Sequence, residues 1–160
     1  MTAQPDLESL ARNVIDANRY MTLGTADKDG RPWVTPVYYT PDGYGTFYWV
    51  SSPEARHSRN LAQRPNVSIV VFDSQAPIGS AEAVYMTARA EEVPSDEVAH
   101  RCAAAFRPRF PGTRGFTPEE LQPPAHLRLY QATITEHSVL IRGSDPVHGR
   151  GIDSRMTVTP

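Results

Sequence analysis

Residues 46–72 read TFYWVSSPEARHSRNLAQRPNVSIVVF, and the succession of periods in this stretch decides the fold. Thr46-Phe47-Tyr48-Trp49-Val50 is aromatic and β-branched, which predicts a strand. Ser51 and Ser52 close it and Pro53 follows. A short helix is predicted over residues 53–63, with Ser52 as N-cap and Pro53 at the first helical position, where its missing N–H would be unpaired anyway. Pro65-Asn66 stops that helix. Val67-Ser68-Ile69-Val70-Val71-Phe72 is an apolar, β-branched run expected to be a strand buried on both faces.

Upstream, Tyr20-Met21-Thr22-Leu23-Gly24-Thr25 is β-prone, Asp27-Lys28-Asp29-Gly30 is a turn sequence, and residues 31–40 are again β-branched and aromatic. This predicts a hairpin. Pro32 and Pro36 lack an N–H, so its second strand needs an edge, a bulge or a break near them. Pro41-Asp42-Gly43-Tyr44-Gly45 reads as a further turn, which makes the first three strands a meander. Before the hairpin, Leu7, Leu10, Ala11, Val14 and Ile15 follow the apolar stripe of an amphipathic helix over residues 6–19. Asp6 is its predicted N-cap, and Pro5 keeps the entry non-helical.

Downstream, residues 83–93 predict a long strand and residues 95–105 a helix. Residues 107–125 hold Pro108, Pro111, Pro118, Pro123 and Pro124, so an irregular loop is expected, with one helical turn near Thr117-Pro118-Glu119-Glu120. Loops of this length in compact domains tend to be lids or partner contacts. Residues 126–135 alternate as a strand, which 138–141 extends or follows. Residues 143–160 are rich in Gly, Asp and Ser and read as a C-terminal tail after a single domain over 1–142. Six to seven antiparallel strands with short helices indicate a mainly β fold, a small barrel with helical decorations.

Composition narrows the function. The chain has 160 residues, 39% apolar and 21% charged, which suits one globular domain. Its 16 basic and 18 acidic side chains leave no basic excess for a nucleic-acid surface. No apolar run approaches the roughly 18 residues that span a bilayer, and MTAQPDLESL has no apolar core of a secretory signal. Cys102 is the single cysteine, so no internal disulfide and no zinc-type cluster is expected, and a reducing cytoplasm is the expected compartment. Lys28 is the only lysine; the other fifteen cations are arginines. No Gly-x-Ser-x-Gly, Walker or His-Glu-x-x-His sequence occurs, so no catalytic residue is assigned.

The chemistry concentrates at the junction of residues 50–61. Two hydroxyls sit where a strand ends and a helix begins, and a helix start offers unpaired N–H groups and a positive dipole end. Arg56, His57 and Arg59 follow within two turns. The set is suited to an anion such as a phosphate. The same residues also describe an ordinary capped surface helix with solvated charges.

Three stretches carry a resemblance: YMTLGTADKDGRPWVTPVYY at 20–39, FYWVSSPEARHSRNL at 47–61 and RPNVSIVVF at 64–72. In order and spacing the chain resembles the pyridoxamine 5′-phosphate oxidase-like family of FMN-binding split β-barrels, well over about residues 10–93 and loosely over 126–142. Ser51 and Ser52 match the hydroxyl positions of the family's junction, Arg56 its arginine and His57 its usual lysine. An imidazole titrates near ~6.5, so phosphate contact through His57 would depend on pH unless Arg59 supplied the charge.

The resemblance implies a homodimer with FMN in clefts between subunits. It implies that Thr35, Pro36 and Val37 line the flavin ring, that Val50 and Ser51 contact the ring or ribityl chain, and that Ser52, Arg56, His57 and Arg59 hold the phosphate. The implied activity is hydride transfer between a small molecule and bound flavin. The chain has no tryptophan after Trp49, so it lacks the Arg- and Trp-containing C-terminal motif of pyridoxamine 5′-phosphate oxidase proper, and pyridoxamine phosphate is not the expected substrate. Two other readings stay open: a deazaflavin-dependent reductase of the same fold, and a non-catalytic flavin- or haem-binding barrel. Trp33 and Trp49 are expected in the core or an interface, and Tyr38, Tyr39 and Tyr44 as exposed aromatics of the dimer. His100, His126, His137 and His148 lack ligand spacing.

Overall fold

The computed structural model describes residues 6–160. Pro5 and the residues before it lie outside the described residues. Helix α1 spans Leu7–Ala17, and its N-cap is Asp6, whose carboxylate accepts the Ser9 N–H at 2.6 Å. Ala11, Val14 and Ile15 bury its apolar stripe against β5, β6 and β7. The strands are β1 Tyr20–Ala26, β2 Pro32–Tyr38, β3 Thr40–Asp42, β4 Thr46–Ser51, β5 Asn66–Phe72, β6 Ala83–Glu92, β7 Arg128–Ile141 and β8 Ser154–Val158. Two more helices and a 3-10 turn complete the chain: α2 Arg56–Gln63, α3 Val98–Ala105 and η1 Pro118–Leu121.

All strand pairs are antiparallel, in the order β2-β1-β5-β6-β7-β4-β3, with β8 paired to β7. This is the curled sheet of a split β-barrel. The hairpin turn closes at Gly30, whose φ of 83° is open to glycine and strained for other residues. Pro32 and Pro36 fall on β2, the end strand, where a missing donor breaks no inner ladder. Pro41 sits likewise on β3, the opposite end strand.

β7 is long because it serves three partners. Its first half pairs with β4, its second half with β8, and β6 runs along both. The register shifts between Thr87 and Ala88, and the Thr87 and Thr135 hydroxyls meet there at 2.8 Å. Such a bulge bends and twists a strand, which lets β7 leave one neighbour and take the next. Residues 126–135 and 138–141 thus form one continuous strand across this irregularity.

Several expectations shift. Residues 41 and 42 pair with β4 as β3, where a turn was expected, and the last residues of the expected tail form β8. Helix α2 begins at Arg56, three residues later than predicted, with Ala55 as its N-cap. Residues 52–55 instead form a turn, in which the Ala55 N–H donates to the Ser52 carbonyl at 3.1 Å. Tyr39, read as exposed, is fully buried, and its hydroxyl donates to the Ile15 carbonyl at 2.6 Å. Trp49 is buried as expected, while Trp33 stays 39% exposed on β2.

The core has two parts. The larger fills the barrel with Met21, Leu23, Phe47, Ile69, Val71, Val84 and Trp49, capped by α1. The smaller, with Tyr48, Val93, Val98, Leu121 and Leu129, packs α3 and η1 on the outside of β4 and β7. β4 therefore alternates between two cores: Phe47 and Trp49 face inward, Tyr48 outward. Among the described residues, no helix is long and apolar enough to cross a membrane.

Candidate functional site

A cleft of about 460 Å³ opens where β4 ends and α2 begins. Its walls are Pro36, Val37 and Tyr38 of β2, Tyr48 to Ser51 of β4, and Leu127 and Leu129 at the start of β7. Thr40 and His57 close the floor. Ala105 and Phe106 at the end of α3, and Arg114 and Phe116 from the loop before η1, form the outer wall. Its volume is within the usual range for small-molecule and cofactor sites, roughly 300–1,000 Å³, and its lining is mostly apolar and aromatic, as such sites are.

Sequence folds this wall for local reasons. β4 has apolar residues on both faces because it separates the two cores, so its far end, from Tyr48 to Ser51, borders the cleft while the Trp49 ring packs in the barrel core. The turn 52–55 reverses the chain and places the first turn of α2 beside the strand end. That turn is self-contained: Ser52 Oγ accepts the Glu54 N–H at 3.1 Å, and Arg59 donates twice to the Glu54 carbonyl, at 2.9 and 2.7 Å. Asn60 then ties α2 to β1, donating to Thr25 Oγ1 at 3.0 Å in a buried contact.

Within the cleft, Ser51 Oγ and His57 Nε2 form a hydrogen bond of 2.8 Å. Only 8% of His57 is exposed, and burial pushes its pKa down from the usual value. At neutral pH it is therefore an uncharged imidazole, able to donate at one nitrogen and accept at the other. Trp49, another lining residue, has its indole N–H buried without a hydrogen-bond partner. A buried donor without an acceptor is costly in a protein, on the order of 1–3 kcal/mol, and this one sits in the barrel core, where the Trp49 ring stacks on Tyr130.

The expected site residues divide. Pro36, Val37, Val50, Ser51 and His57 come together in the cleft. Thr35, Ser52, Arg56 and Arg59 lie outside its lining. Arg56 extends over the Trp33 ring, with its guanidinium carbon 4.3 Å from the ring centre. Arg107 and Arg109, on the Pro-rich loop, are pinned to main-chain carbonyls: Arg107 to Pro41, and Arg109 to Ile15, Asp16, Asn18 and Tyr39. The remaining lining residues are not among the expected site residues, above all Tyr48, Phe106, Arg114 and Phe116, and Tyr38, expected as an exposed aromatic of the dimer, lines the cleft as well. Tyr48 was readable as strand, but its outward face could not be known without the second core. Arg114 and Phe116 come from the Pro-rich loop, whose length alone signalled a lid.

Elsewhere, Cys102 is half-buried on α3, and burial, with Glu119 nearby, pushes its thiol up, away from the reactive thiolate. His137 Nε2 donates to the Tyr44 carbonyl at 2.8 Å, a structural contact. Among the described residues, no group of three His, Cys, Asp or Glu side chains is arranged to hold a metal.

Comparison with known proteins follows the same lines. The family model for pyridoxamine 5′-phosphate oxidase matches residues 7–138. No curated protein matches the chain. The heme binding protein from Mycobacterium smegmatis superposes with a TM-score of 0.69 at 22% identity, over 98% of this chain and 60% of that one. A putative 5-nitroimidazole antibiotic resistance protein from Bacteroides thetaiotaomicron gives a TM-score of 0.67 at 16% identity, over 84% of each chain. HutZ, the heme storage protein from Vibrio cholerae, gives 0.56 at 20% identity, over 84% of this chain and 91% of that one. At these identities the likeness is one of fold. This chain spans about 60% of the length of the mycobacterial protein.

Proposed function

From the premise that the chain belongs to the pyridoxamine 5′-phosphate oxidase family, we propose that it binds FMN in the β4–α2 cleft and acts as an oxidoreductase on a small molecule, as a homodimer. One observation carries this reading: the junction whose sequence resembles the flavin site, where Ser51 Oγ and His57 Nε2 meet at 2.8 Å, also borders an aromatic cleft of cofactor size. The residues fit a flavin. Val37, Tyr48 and Val50 offer apolar surface to a flat ring, Ser51 offers a hydrogen bond to a polar ring edge or the ribityl chain, and His57 beside it offers one to the phosphate. Ser52 in the turn and Arg56 and Arg59 on α2 are the neighbouring groups that would hold the phosphate. Bound FMN supplies the hydride-exchanging ring; the protein supplies position, polarity and exclusion of water.

Purified protein should be yellow and bind about one FMN per chain, with riboflavin binding more weakly. Colourless protein that takes up no FMN at micromolar concentration would overturn this reading. Parallel titration with a deazaflavin tests the reductase alternative, which tighter FMN binding removes.

His57 favours a second reading. A neutral, buried imidazole in an aromatic cleft is the form in which histidine ligates haem iron. Two structural neighbours are described as heme binding or heme storage proteins. Haemin titration decides: a Soret band that shifts in the wild type and is lost in His57→Ala supports haem, and an unshifted band removes it.

A further inference from the structure

The cleft has one permanently charged lining residue. Its lining holds no Asp, Glu or Lys, His57 is neutral at pH 7, and the remaining charge is the guanidinium of Arg114. Arg114 lines the cleft from the loop before η1, and Ser51 and His57 line it from the β4–α2 junction. The Arg114 guanidinium carbon lies 4.1 Å from the Phe116 ring centre, and both residues line the cleft. The one ionic partner of Arg114 among the described residues is Glu120, with side-chain exposures of 61% and 41%.

That pair is built to exchange. An exposed ion pair contributes little, because water screens it. Glu120 does not depend on Arg114 for its place, since its other oxygen accepts the Thr117 N–H at 2.9 Å. An acidic group entering an aromatic cleft has no other fixed cation to meet, and a charge-assisted, bidentate contact with arginine strengthens as water leaves.

We infer that Arg114 is the specificity residue of this site and that the substrate is a flat, largely apolar molecule bearing one acidic group, which exchanges with Glu120 for the guanidinium. The inference rests on the cleft being the binding site proposed above. It goes beyond that reading in naming the substrate class and assigning its recognition to the loop before η1, away from α2.

The test uses 2-naphthoate and its neutral amide, 2-naphthamide, as probes on the full chain, both as purified and saturated with FMN, by calorimetry. The acid should bind about tenfold tighter than the amide, the scale of one charge-assisted contact. Arg114→Gln should bring the ratio close to one, Arg114→Lys should keep part of it, and Glu120→Gln should raise it. Unchanged thermal melting of each variant shows that it folds. Equal binding of acid and amide by the wild type, or an acid preference that survives in Arg114→Gln, overturns the inference. The FMN-to-riboflavin affinity ratio is measured on the same variants. If Arg114→Gln lowers that ratio and leaves the acid preference, Arg114 serves the cofactor phosphate and the inference also fails. If FMN does not bind at all, the flavin reading falls, yet the acid–amide comparison on the cofactor-free chain still decides the role of Arg114.

Discussion

Burial makes His57 a base whose protonation costs stability. Its folded pKa lies below the unfolded value of about 6.5, so between the two the unfolded chain binds the proton more readily. The stability from its neutral form is complete above that unfolded value and is lost as pH falls towards the folded one. His137, also lowered by burial, adds a loss of the same sign. The urea midpoint should therefore fall between pH 7.5 and 5.5, and fall less in His57→Gln; an identical fall in both proteins would show that His57 titrates alike in the two states. The same residue tests the phosphate assignment. His57→Lys installs a permanent cation beside Ser51, so FMN should bind about tenfold tighter while riboflavin is unaffected. An unchanged FMN-to-riboflavin ratio would take residue 57 away from the phosphate. The sequence marked Ser51 and His57 because strand end and helix start are local signals. It could not show that Arg56 covers Trp33 or that Arg59 is held by Glu54, because Ser52, Glu54 and Arg59 satisfy one another through a turn where helix was expected.

At the scale of elements, the loop after α3 is fixed by its own Arg109 to the end of helix α1, far back along the chain. Helix α1 has no basic residue in its last turn, where unpaired carbonyls and the negative dipole end favour a cation. Arg109 supplies it, donating to Ile15 and Asn18 carbonyls at 3.0 Å each, while its guanidinium carbon lies 4.6 Å from the Tyr39 ring centre. Arg109→Ala should destabilise the fold by about 2–3 kcal/mol in urea unfolding, since charged hydrogen bonds to several carbonyls are lost together. Amide exchange of residues 106–117 and of the end of α1 should accelerate with it. Exchange confined to one of the two would show that Arg109 does not couple them. Tyr39→Phe is the milder companion, about 0.5–1.5 kcal/mol, because Arg109 still serves the Ile15 carbonyl. α1, the first hairpin, β5 and the turn at η1 were legible because their caps, turns and periods are local. β3, β8 and the bulge in β7 were not: each is defined by a partner strand, and pairing over long sequence separation leaves little mark on the residues themselves.

For the whole molecule, the curled sheet leaves one end exposed in an apolar condition. Tyr20 is 61% exposed and Val34 66%, on the paired strands β1 and β2, and Trp33 stands beside them. Val34 also borders a hollow of about 370 Å³ on the outer face of the sheet, with Val70 and Tyr85 across it. End strands with apolar side chains invite pairing or burial unless something covers them. A second copy of the chain is the proposed cover, and the β2 wall of the cleft then couples cofactor binding to assembly. Light scattering should give a mass of about twice 17.7 kDa. Val34→Glu puts an unpaired charge into that contact, so it should yield monomer and weaken FMN binding together, with thermal melting reporting that the monomer stays folded. Ile78→Glu is the control: Ile78 is fully exposed on the loop between β5 and β6, and a charge there should change neither mass nor affinity. If Val34→Glu remains dimeric, the interface lies on another face; if it becomes monomeric yet binds FMN as tightly as before, the cleft is complete within one chain and assembly serves something other than the cofactor.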